Sequence, residues 1–434
     1  MASSSPSLSA SQKAAIDRIL SEAVSSNSTP ALFFGVTTAD GPIYMHTEGK
    51  KVVNDPTSEP IDEDTVFWLC SQTKLITTIA ALQLVEQGKI TLNTPVESIL
   101  PELANPVVIT GKDEANGNLL TAPAKNKITF GHLLNHTSGL NGAALPRSRS
   151  NGIADYYSLS DKDVAAVFDA LRCGLPSVPL KFEPGTDFAY GPSVDCAGFI
   201  VERLSGKSLE QYFQDHIFSP LGITSASFYL TPSLKDRLLP LSYRTKSGDI
   251  EPWKGQPVVD LDPKNVRVHF GGVNLYASQK DYLMLLRHLL QIKGAFRFVS
   301  QILRMLPTEQ IHISRQRDRA HPHPPHPLTP CSHLHSRLQV LRQSRNSWRG
   351  LTRTSGLPEG GAQFGSGLFV NTVDVPGRRK KGSGTWGGWA NTSYFIDPTT
   401  GVAAVFATQL APTFDNTHHK LYDTLEKALY AGLT

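Results

Sequence analysis

Strand-like segments stand at both ends of this chain, and helical patterns dominate the sequence between them. Near the start, residues 31–36 and 43–47 are typical of two short strands joined across Asp40-Gly41, a hairpin signal. Near the end, strands are predicted over 364–370, 391–396 and 402–408. Strands at both ends with helices between them predict an α+β fold, in which the terminal strands share one sheet around a mostly helical inserted domain.

The densest helical pattern covers residues 71–87, where apolar side chains recur at helical spacing. Gly88 follows this pattern, in the place where a C-terminal capping glycine belongs. Further helices are predicted over 12–24, 161–171, 194–204, 209–217, 279–292 and 416–431. Most of them fall between the two groups of strands.

The composition sets limits on the class of protein. The chain has 434 residues, of which 40% are hydrophobic and 18% are charged, so a sizeable core is expected and wholesale disorder is excluded. No apolar run is long enough to cross a membrane, and residues 1–13 do not resemble a secretory signal. The four cysteines show no paired or metal-like spacing, so we expect reduced thiols, a cytoplasmic protein and no bound metal.

Residues 296–350 depart from the rest of the chain. They contain nine Arg, no Lys and two acidic residues, a local charge of +7, whereas the whole chain has a formal net charge of +4. The positive charge therefore belongs to one segment and gives no reason to expect a nucleic-acid partner. Six histidines in the same segment could indicate a metal site or a basic interaction loop. Because interspersed prolines prevent the helical turn that would bring these histidines together, we interpret the segment as a disordered or aberrant insertion.

Ser71 and Lys74 are the first candidates for catalysis. A spacing of three residues on a helix puts the two side chains about 60° apart around the axis and about 4.5 Å apart along it, so the amine can reach the hydroxyl. Ser71 is expected to open the helix, where unpaired N–H groups favour a developing anion. Burial among apolar neighbours would let a neutral Lys74 amine take the serine proton. The alternative is an ordinary Ser N-cap beside a surface lysine.

Tyr190 is the next candidate. It lies in residues 182–193, a stretch punctuated by Pro and Gly that leads into a predicted helix, so its phenol is expected on a turn. Near Lys74, this phenol would serve as a second proton carrier. The alternative is a packed aromatic side chain.

A glycine-rich stretch over residues 381–389 precedes the strand predicted at 391–396. Glycines beside an edge strand let a substrate approach the backbone, and a strand N–H can complete an oxyanion hole. Residues 382–387 also match the G-x-G-x-x-G pattern of dinucleotide sites. Because a strand rather than a helix follows, we expect no dinucleotide cofactor.

Taken in order, these motifs resemble the serine β-lactamase and penicillin-binding-protein superfamily, in its class C and esterase-like branch. Ser71 and Lys74 resemble the S-x-x-K motif, Tyr190 resembles the tyrosine motif, and residues 386–388 resemble the third motif, which lies on a strand. Additional similar stretches are 132–140, 220–223 and 270–273. Residues 71–78 and 379–383 are most similar to fungal polyketide acyltransferases of statin pathways. In all, the resemblance covers residues 10–295 and 351–432.

The resemblance implies a β-lactamase/transpeptidase-like fold, with an antiparallel sheet flanked by helices. It implies that Ser71 attacks an ester or thioester while Lys74 and Tyr190 shuttle its proton. The backbone N–H groups of Ser71 and Trp389 would form the oxyanion hole. Trp386, Gly387 and Gly388 would contact the substrate. Neither a cofactor nor a metal is implied.

Two departures from the superfamily pattern bear on specificity. The third motif begins with Trp386 rather than with Lys or His, which removes the cation that would hold a β-lactam carboxylate and disfavours antibiotic hydrolysis. Pro192 and Ser193 stand where the tyrosine motif of other members carries Asn. His136 and Ser138 are interpreted as structural, because the implied reaction uses no histidine.

The resulting prediction is a serine-dependent acyltransferase that moves a short acyl group from a thioester or ester to an alcohol, in fungal secondary metabolism. Its expected partners are a small-molecule acceptor and an acyl donor, with a polyketide synthase carrier domain as a candidate donor. Neither nucleic acid nor membrane is expected. Two alternatives stay open: a hydrolase of small esters or lactones, and an inactive relative that acts as a binding protein.

The expected organisation divides the chain into five parts. Residues 1–70 supply the N-terminal helix and first strands, 71–270 the nucleophile helix and helical domain, and 271–295 a return helix. The insertion at 296–350 precedes residues 351–434, which supply the last strands and the C-terminal helix.

Overall fold

The computed structural model describes residues 5–141, 155–255, 259–292 and 361–434. The predicted insertion at 296–350 lies outside these ranges. In chain order, the strands are β1 (Leu32–Thr37), β2 (Pro42–Glu48), β3 (Val66–Trp68), β4 (Val107–Lys112), β5 (Leu119–Pro123), β6 (Pro179–Leu180), β7 (Ser242–Arg244), β8 (Ile250–Pro252), β9 (Tyr276–Ser278), β10 (Ala362–Phe364), β11 (Phe369–Asn371), β12 (Gly384–Gly388), β13 (Thr392–Asp397), β14 (Val402–Ala407) and β15 (Leu410–Ala411).

Helices fill much of the chain between the terminal strands. The α-helices of the described residues are α1 (Ala10–Ser25), α2 (Thr73–Glu86), α3 (Phe130–Leu134), α4 (Val164–Arg172), α5 (Ser193–Ser205), α6 (Leu209–Phe213), α7 (Ser219–Leu221), α8 (Pro232–Asp236), α9 (Gln279–Gln291) and α10 (Asn416–Gly432). None of the helices in these ranges is long and apolar enough to cross a membrane.

The main sheet has seven strands in the order β10-β11-β12-β13-β14-β1-β2, and every neighbouring pair is antiparallel. Strand β1 pairs with β14, so that Phe33 lies opposite Ala407 and Thr37 lies opposite Ala403. The prediction that the two ends of the chain share one sheet is therefore confirmed.

Both faces of the sheet centre are covered by helices. On one face, alternate residues of β1 such as Phe34 pack with α1 and α10. On the other face, Phe33 packs with α9 in the main core. All six residues of β1 and all six of β14 are buried. Continuous burial of this kind explains why these strands are apolar throughout rather than alternating.

One predicted strand is wrong. Residues 364–370 are predicted to form a single strand, whereas the structure divides them between β10 and β11, which pair with each other as a hairpin. The turn between them is closed by a hydrogen bond from the Gly365 N–H to the Leu368 carbonyl, and Gly367 has a φ of 75°. Glycine adopts this left-handed conformation without steric cost, which makes the reversal possible at Gly365-Ser366-Gly367.

Two small sheets of the middle region were not predicted. Strands β4, β5 and β6 form one of them, and β7, β8 and β15 form the other. Their strands are two to six residues long, too short for a clear alternating pattern. Strands β3 and β9 pair in a further two-stranded sheet. Helices fill much of the remaining middle region, as expected, and α2 packs against α5.

Candidate active site

Ser71 lies at a sharp turn between β3 and α2. Cys70, its predecessor, has a φ of 48°, a left-handed conformation that costs a non-glycine residue energy. Residues Cys70–Gln72 form a short 3₁₀ turn, and α2 begins at Thr73. The helix therefore starts two residues later than predicted, although Ser71 still precedes its first turn. The strained turn sets the Ser71 hydroxyl apart from the regular helix surface.

Lys74 points at Ser71 from the first turn of α2. Its Nζ donates a hydrogen bond to Ser71 Oγ over 3.1 Å and another to the carbonyl oxygen of Gly272 over 2.8 Å. Lys74 is 2% exposed. The predicted reach from the lysine to the serine is therefore present, and the alternative of a surface lysine is excluded.

Tyr190 completes the group of side chains around the serine. Its hydroxyl donates to Ser71 Oγ over 2.8 Å, and Lys74 Nζ lies 4.8 Å from the centre of its ring. Tyr190 is 39% exposed, as expected for a residue on a turn. The structure thus brings Ser71, Lys74 and Tyr190 into direct contact, although 119 positions separate the tyrosine from the serine.

The turn at His136 holds the Tyr190 loop from behind. The His136 carbonyl accepts a hydrogen bond from the N–H of Ala189, and the two rings of His136 and Tyr190 are 4.7 Å apart at their centres. Burial lowers the pKa of His136 well below its ordinary value, and the charge of Lys74 lowers it further. A neutral histidine therefore packs against the tyrosine, in agreement with the structural interpretation of this residue.

Strand β12 carries the third motif along the other side of the turn. Trp386 pairs with Tyr394 of β13, and Gly388 pairs with Thr392. A Cβ placed on Gly388 would come within 2.6 Å of the Leu69 carbonyl oxygen and 3.4 Å of the Cys70 Cβ. Only a glycine lets the strand pack this closely on the residues that precede Ser71.

Trp389 follows β12 beside the same turn. Burial raises the pKa of the Cys70 thiol, while the nearby Lys74 charge and a backbone hydrogen bond from Trp389 lower it. The Trp389 backbone therefore reaches the residue next to Ser71, the region in which the sequence predicted an oxyanion hole.

Aromatic rings form both walls of the site. On one side, Trp386 lies 5.2 Å from the Tyr190 ring and 4.9 Å from the Phe364 ring, measured between centres. On the other side, Trp389 lies 6.0 Å from Trp68 and 5.8 Å from Trp253. Walls of this kind favour an apolar ligand next to the hydroxyl.

Asp195 is a buried acid of the site that the sequence analysis did not identify. It lies in the first turn of α5, and one carboxylate oxygen, Oδ1, accepts the N–H of Gly272 over 2.7 Å. The other oxygen, Oδ2, accepts the hydroxyls of Tyr156 at 2.9 Å and Tyr157 at 3.2 Å. Burial raises the pKa of Asp195, whereas the Lys74 charge and these hydrogen bonds lower it.

The Ser193 hydroxyl is hydrogen-bonded in the interior rather than to Lys74. Its partner is the hydroxyl of Ser138, at 2.9 Å. Lys74 instead meets the Gly272 carbonyl. The sequence signal for this arrangement is the stretch 270–273, which the sequence analysis identifies by its resemblance and not by its contacts.

No group of three or more potential metal-binding side chains occurs in the part of the chain that the structure describes. Within those residues, the site consists of a serine, a lysine, a tyrosine, the buried carboxylate of Asp195, backbone groups and aromatic walls.

The chain is similar to proteins of known activity over most of its length. A lovastatin esterase of Penicillium rubens is 31% identical over 374 residues, 85% of this chain and 85% of that protein. A monacolin J acid methylbutanoyltransferase of Aspergillus terreus is 31% identical over 378 residues, 86% of this chain and 83% of that protein. The solved structure of unliganded simvastatin synthase from Aspergillus terreus superposes with a TM-score of 0.73 at 28% identity, covering 98% of this chain and 99% of that one.

The model of one protein family, described as Beta-lactamase, matches residues 16–427. This range contains Ser71, Lys74, Tyr190 and the third motif, and it includes both ends of the main sheet. The resemblance inferred from the motifs is therefore confirmed, and the chain belongs to the beta-lactamase family.

Proposed function

We propose that this chain is a serine acyltransferase, which moves a short acyl group from a thioester or ester to an alcohol through an acyl-enzyme at Ser71. The observation that carries the proposal is the pair of donors on Ser71 Oγ, Lys74 at 3.1 Å and Tyr190 at 2.8 Å. A serine that contacts two titratable groups, beside apolar walls, is equipped for nucleophilic catalysis.

In the first half of the reaction, Ser71 Oγ bonds to the acyl carbonyl carbon. Its proton passes to Tyr190 or Lys74, whichever of the two is deprotonated at that moment. The carbonyl oxygen becomes an oxyanion, for which the backbone N–H groups of Ser71 and Trp389 are the proposed donors. The carbon–sulfur or carbon–oxygen bond to the leaving group then breaks, and the leaving thiol or alcohol takes the proton.

In the second half, an alcohol attacks the acyl-serine in the same way. Its proton goes to the Tyr190–Lys74 pair, the new carbon–oxygen bond forms, and the bond to Ser71 Oγ breaks as the serine recovers its proton. Water can replace the alcohol in this step. Transfer therefore depends on the acceptor competing successfully with water at an apolar site.

The aromatic walls support an apolar acceptor, and the third motif supports a substrate without a carboxylate at that position. Trp386 is only partly buried and lies beside Tyr190, where other members place a cation. An indole stacks on apolar or planar groups and carries no positive charge to pair with a carboxylate. We therefore propose esters and thioesters, and not β-lactam antibiotics, as donors.

The acyltransferases and the esterase among the relatives suggest the range of substrates. By analogy with the methylbutanoyltransferase, we propose a short branched acyl group and a polyketide alcohol, in a fungal secondary pathway, with a carrier domain as donor. A cytoplasmic location is proposed as well, because Cys70 and Cys196 are buried thiols and the cytoplasm keeps thiols reduced.

The second candidate is a hydrolase of small esters or lactones. It is favoured by the lovastatin esterase, which is as similar to this chain as the methylbutanoyltransferase is. Both functions share the acyl-serine and differ in the nucleophile that removes the acyl group.

Intact-mass measurement distinguishes the two candidates. The purified protein is mixed with a short acyl thioester, first without and then with candidate alcohols, and the Ser71→Ala variant serves as the control. An acyl-sized adduct that alcohols remove faster than water, and that Ser71→Ala does not form, supports the transferase. An adduct that only water removes supports the hydrolase. Folded protein that forms no adduct contradicts both and leaves the inactive binding protein.

A further inference from the structure

The buried carboxylate of Asp195 has no part in the reaction described above, yet it is linked to the lysine through a single residue. Gly272 donates its N–H to Asp195 Oδ1 over 2.7 Å, and its carbonyl oxygen accepts from Lys74 Nζ over 2.8 Å. Asp195 is 1% exposed and Lys74 is 2% exposed. An acid and a base thus lie on the two sides of one glycine, both shielded from water.

We propose that Asp195 is a positioning residue for Lys74. The Asp195 carboxylate holds Gly272 so that the Gly272 carbonyl directs the lysine toward Ser71, and it supplies the negative charge that balances the lysine ammonium. This inference rests on the proposed function, because it assigns a role within the same site. The carboxylate does not touch the serine, so Asp195 acts only through Gly272 and through its charge.

The tight packing around Gly272 supports this positioning role of Asp195. A Cβ on this residue would come within 2.7 Å of Asp195 Oδ1 and 3.1 Å of Lys74 Nζ. Any side chain here would therefore separate the acid from the base. Glycine keeps them close, and the short separation makes their electrostatic interaction large in a buried setting.

The hydrogen bonds on Asp195 match an ionised carboxylate. Its two oxygens accept three donors, the Gly272 N–H and the hydroxyls of Tyr156 and Tyr157. An ionised carboxylate only accepts hydrogen bonds, whereas a protonated one has to donate one as well. The two tyrosine rings are 4.3 Å apart and pack on Phe270, which fixes their hydroxyls.

The remaining titratable groups near the pair are few. The Lys74 charge also lowers the pKa values of the Cys70 thiol and of the His136 ring. Lys74 Nζ lies over the ring of Tyr190. Asp195 also acts on the thiol of Cys196, whose pKa is raised mainly by burial. Among these groups Asp195 is the one carboxylate, so its removal is the change that takes a negative charge away from the lysine.

The test measures how fast Ser71 reacts with a fluorophosphonate as a function of pH. Ser71 Oγ bonds to phosphorus, the phosphorus–fluorine bond breaks, fluoride leaves, and the serine proton goes to the Tyr190–Lys74 pair. The adduct is counted by intact mass. Labelling needs an activated serine but no acyl donor or acceptor, so it reports on the site even if the protein proves to transfer no acyl group.

Asp195→Asn keeps the shape of the side chain and removes its charge. Without the negative charge, the lysine loses its proton more easily, so the acidic limb of the rate–pH curve should move to lower pH by at least about one unit. The rate on the plateau should fall about tenfold to a hundredfold, because Lys74 is held less well. Gly272→Ala, which places a methyl group between the partners, should lower the plateau in the same way.

Glu426→Gln is the matched control, because it also removes a buried carboxylate. Glu426 is 1% exposed, lies in α10 and pairs with Arg378 and Arg379. Its loss should lower the melting temperature without moving the pH curve. If Asp195→Asn folds too poorly to measure, Tyr156→Phe removes one donor from the same carboxylate, which favours its neutral, protonated form, and should therefore move the limb in the same direction by a smaller amount.

Two results would overturn the inference. One is an unchanged pH limb per folded molecule in both Asp195→Asn and Tyr156→Phe, which would leave Asp195 a purely structural residue. The other is an equal shift in Glu426→Gln, which would mean that the limb responds to any buried charge. Failure of the proposed function would give a different result: the wild-type protein would react with fluorophosphonate, but no ester or thioester would acylate it.

Discussion

Gly388 lies against the backbone of Leu69, so closely that a Cβ on the glycine would come within 2.6 Å of the leucine carbonyl oxygen. The contact joins the end of β12 to the turn that carries Ser71. Since the next residue of the strand, Trp389, is a proposed oxyanion donor, this contact fixes the distance between the nucleophile and half of the oxyanion hole.

Gly388→Ala should therefore lower kcat for ester cleavage by about 10²-fold to 10³-fold, the usual effect of losing one oxyanion donor. The added methyl group pushes the strand away from the Ser71 turn. Gly111→Ala is a suitable control, because a Cβ there would meet its nearest neighbour at 3.8 Å. Acyl-enzyme formation should be followed by stopped flow with a chromogenic ester. Wild-type kcat in a Gly388→Ala protein of normal stability would refute the role of this contact.

Lys74→Met should lower kcat by at least ~10³-fold, if the lysine belongs to the proton-transferring pair. Methionine fills the space but offers no donor to Ser71 or to the Gly272 carbonyl. A loss of stability should accompany it, because Asp195 then lacks its positive partner. Lys280→Met, which removes a surface lysine paired with Glu63, controls for loss of charge alone. A fall in kcat of less than tenfold would make Lys74 a bystander.

Tyr190→Phe separates the hydroxyl of this residue from its ring. The ring contacts with Trp386 and His136 should persist, so KM for an apolar ester should change little. Loss of the hydroxyl beside Ser71 Oγ should lower kcat by about 10²-fold. Tyr243→Phe, in another exposed tyrosine, should leave both constants unchanged. A raised KM with an unchanged kcat would instead make Tyr190 only a wall of the site.

Acid should destabilise the protein through His418. Burial lowers the pKa of this histidine, stacked on Phe406, well below its ordinary value of 6.5. The unfolded chain therefore binds a proton that the folded chain does not, and the resulting stability is full above the unfolded pKa and lost as the pH falls below it. The unfolding free energy should be measured with denaturant at several pH values. His418→Phe should reduce its dependence on pH by the contribution of about one proton, near 1.4 kcal/mol per pH unit. Parallel curves for wild type and variant would contradict this.

The sheet could be predicted because its strands are apolar and bounded by turn residues. That strands from the two ends of the chain share one sheet followed from their positions, whereas the particular pairing of β1 with β14 was not predicted. The hairpin of β10 and β11 was missed, although Gly365-Ser366-Gly367 between its strands is a recognisable turn signal, in which Gly367 adopts the left-handed conformation. The short sheets of the middle region depend on tertiary pairing, which a local pattern does not record.

Contacts of the site could be predicted where a sequence motif identifies the residues that make them. The spacing of Ser71 and Lys74 fixes their distance on a helix, and the tyrosine motif supplied Tyr190 through the resemblance. Asp195 was missed because the hydrogen bonds that link it to the lysine run through a residue far along the chain, Gly272. A buried acid at the start of a helix has no sequence signature that separates it from an ordinary first-turn carboxylate. The roles of the individual residues stay predictions until the variants are measured.

The pairing of β1 with β14 also governs when the protein can fold during its synthesis. Thr37 is made long before its neighbour Ala403, and at about 5–20 residues per second the delay is roughly 20 to 70 seconds. Throughout this interval the apolar hairpin of β1 and β2 has an unpaired edge, which can bind other chains. Truncated chains that lack β14 should therefore bind chaperones and show no catalytic activity.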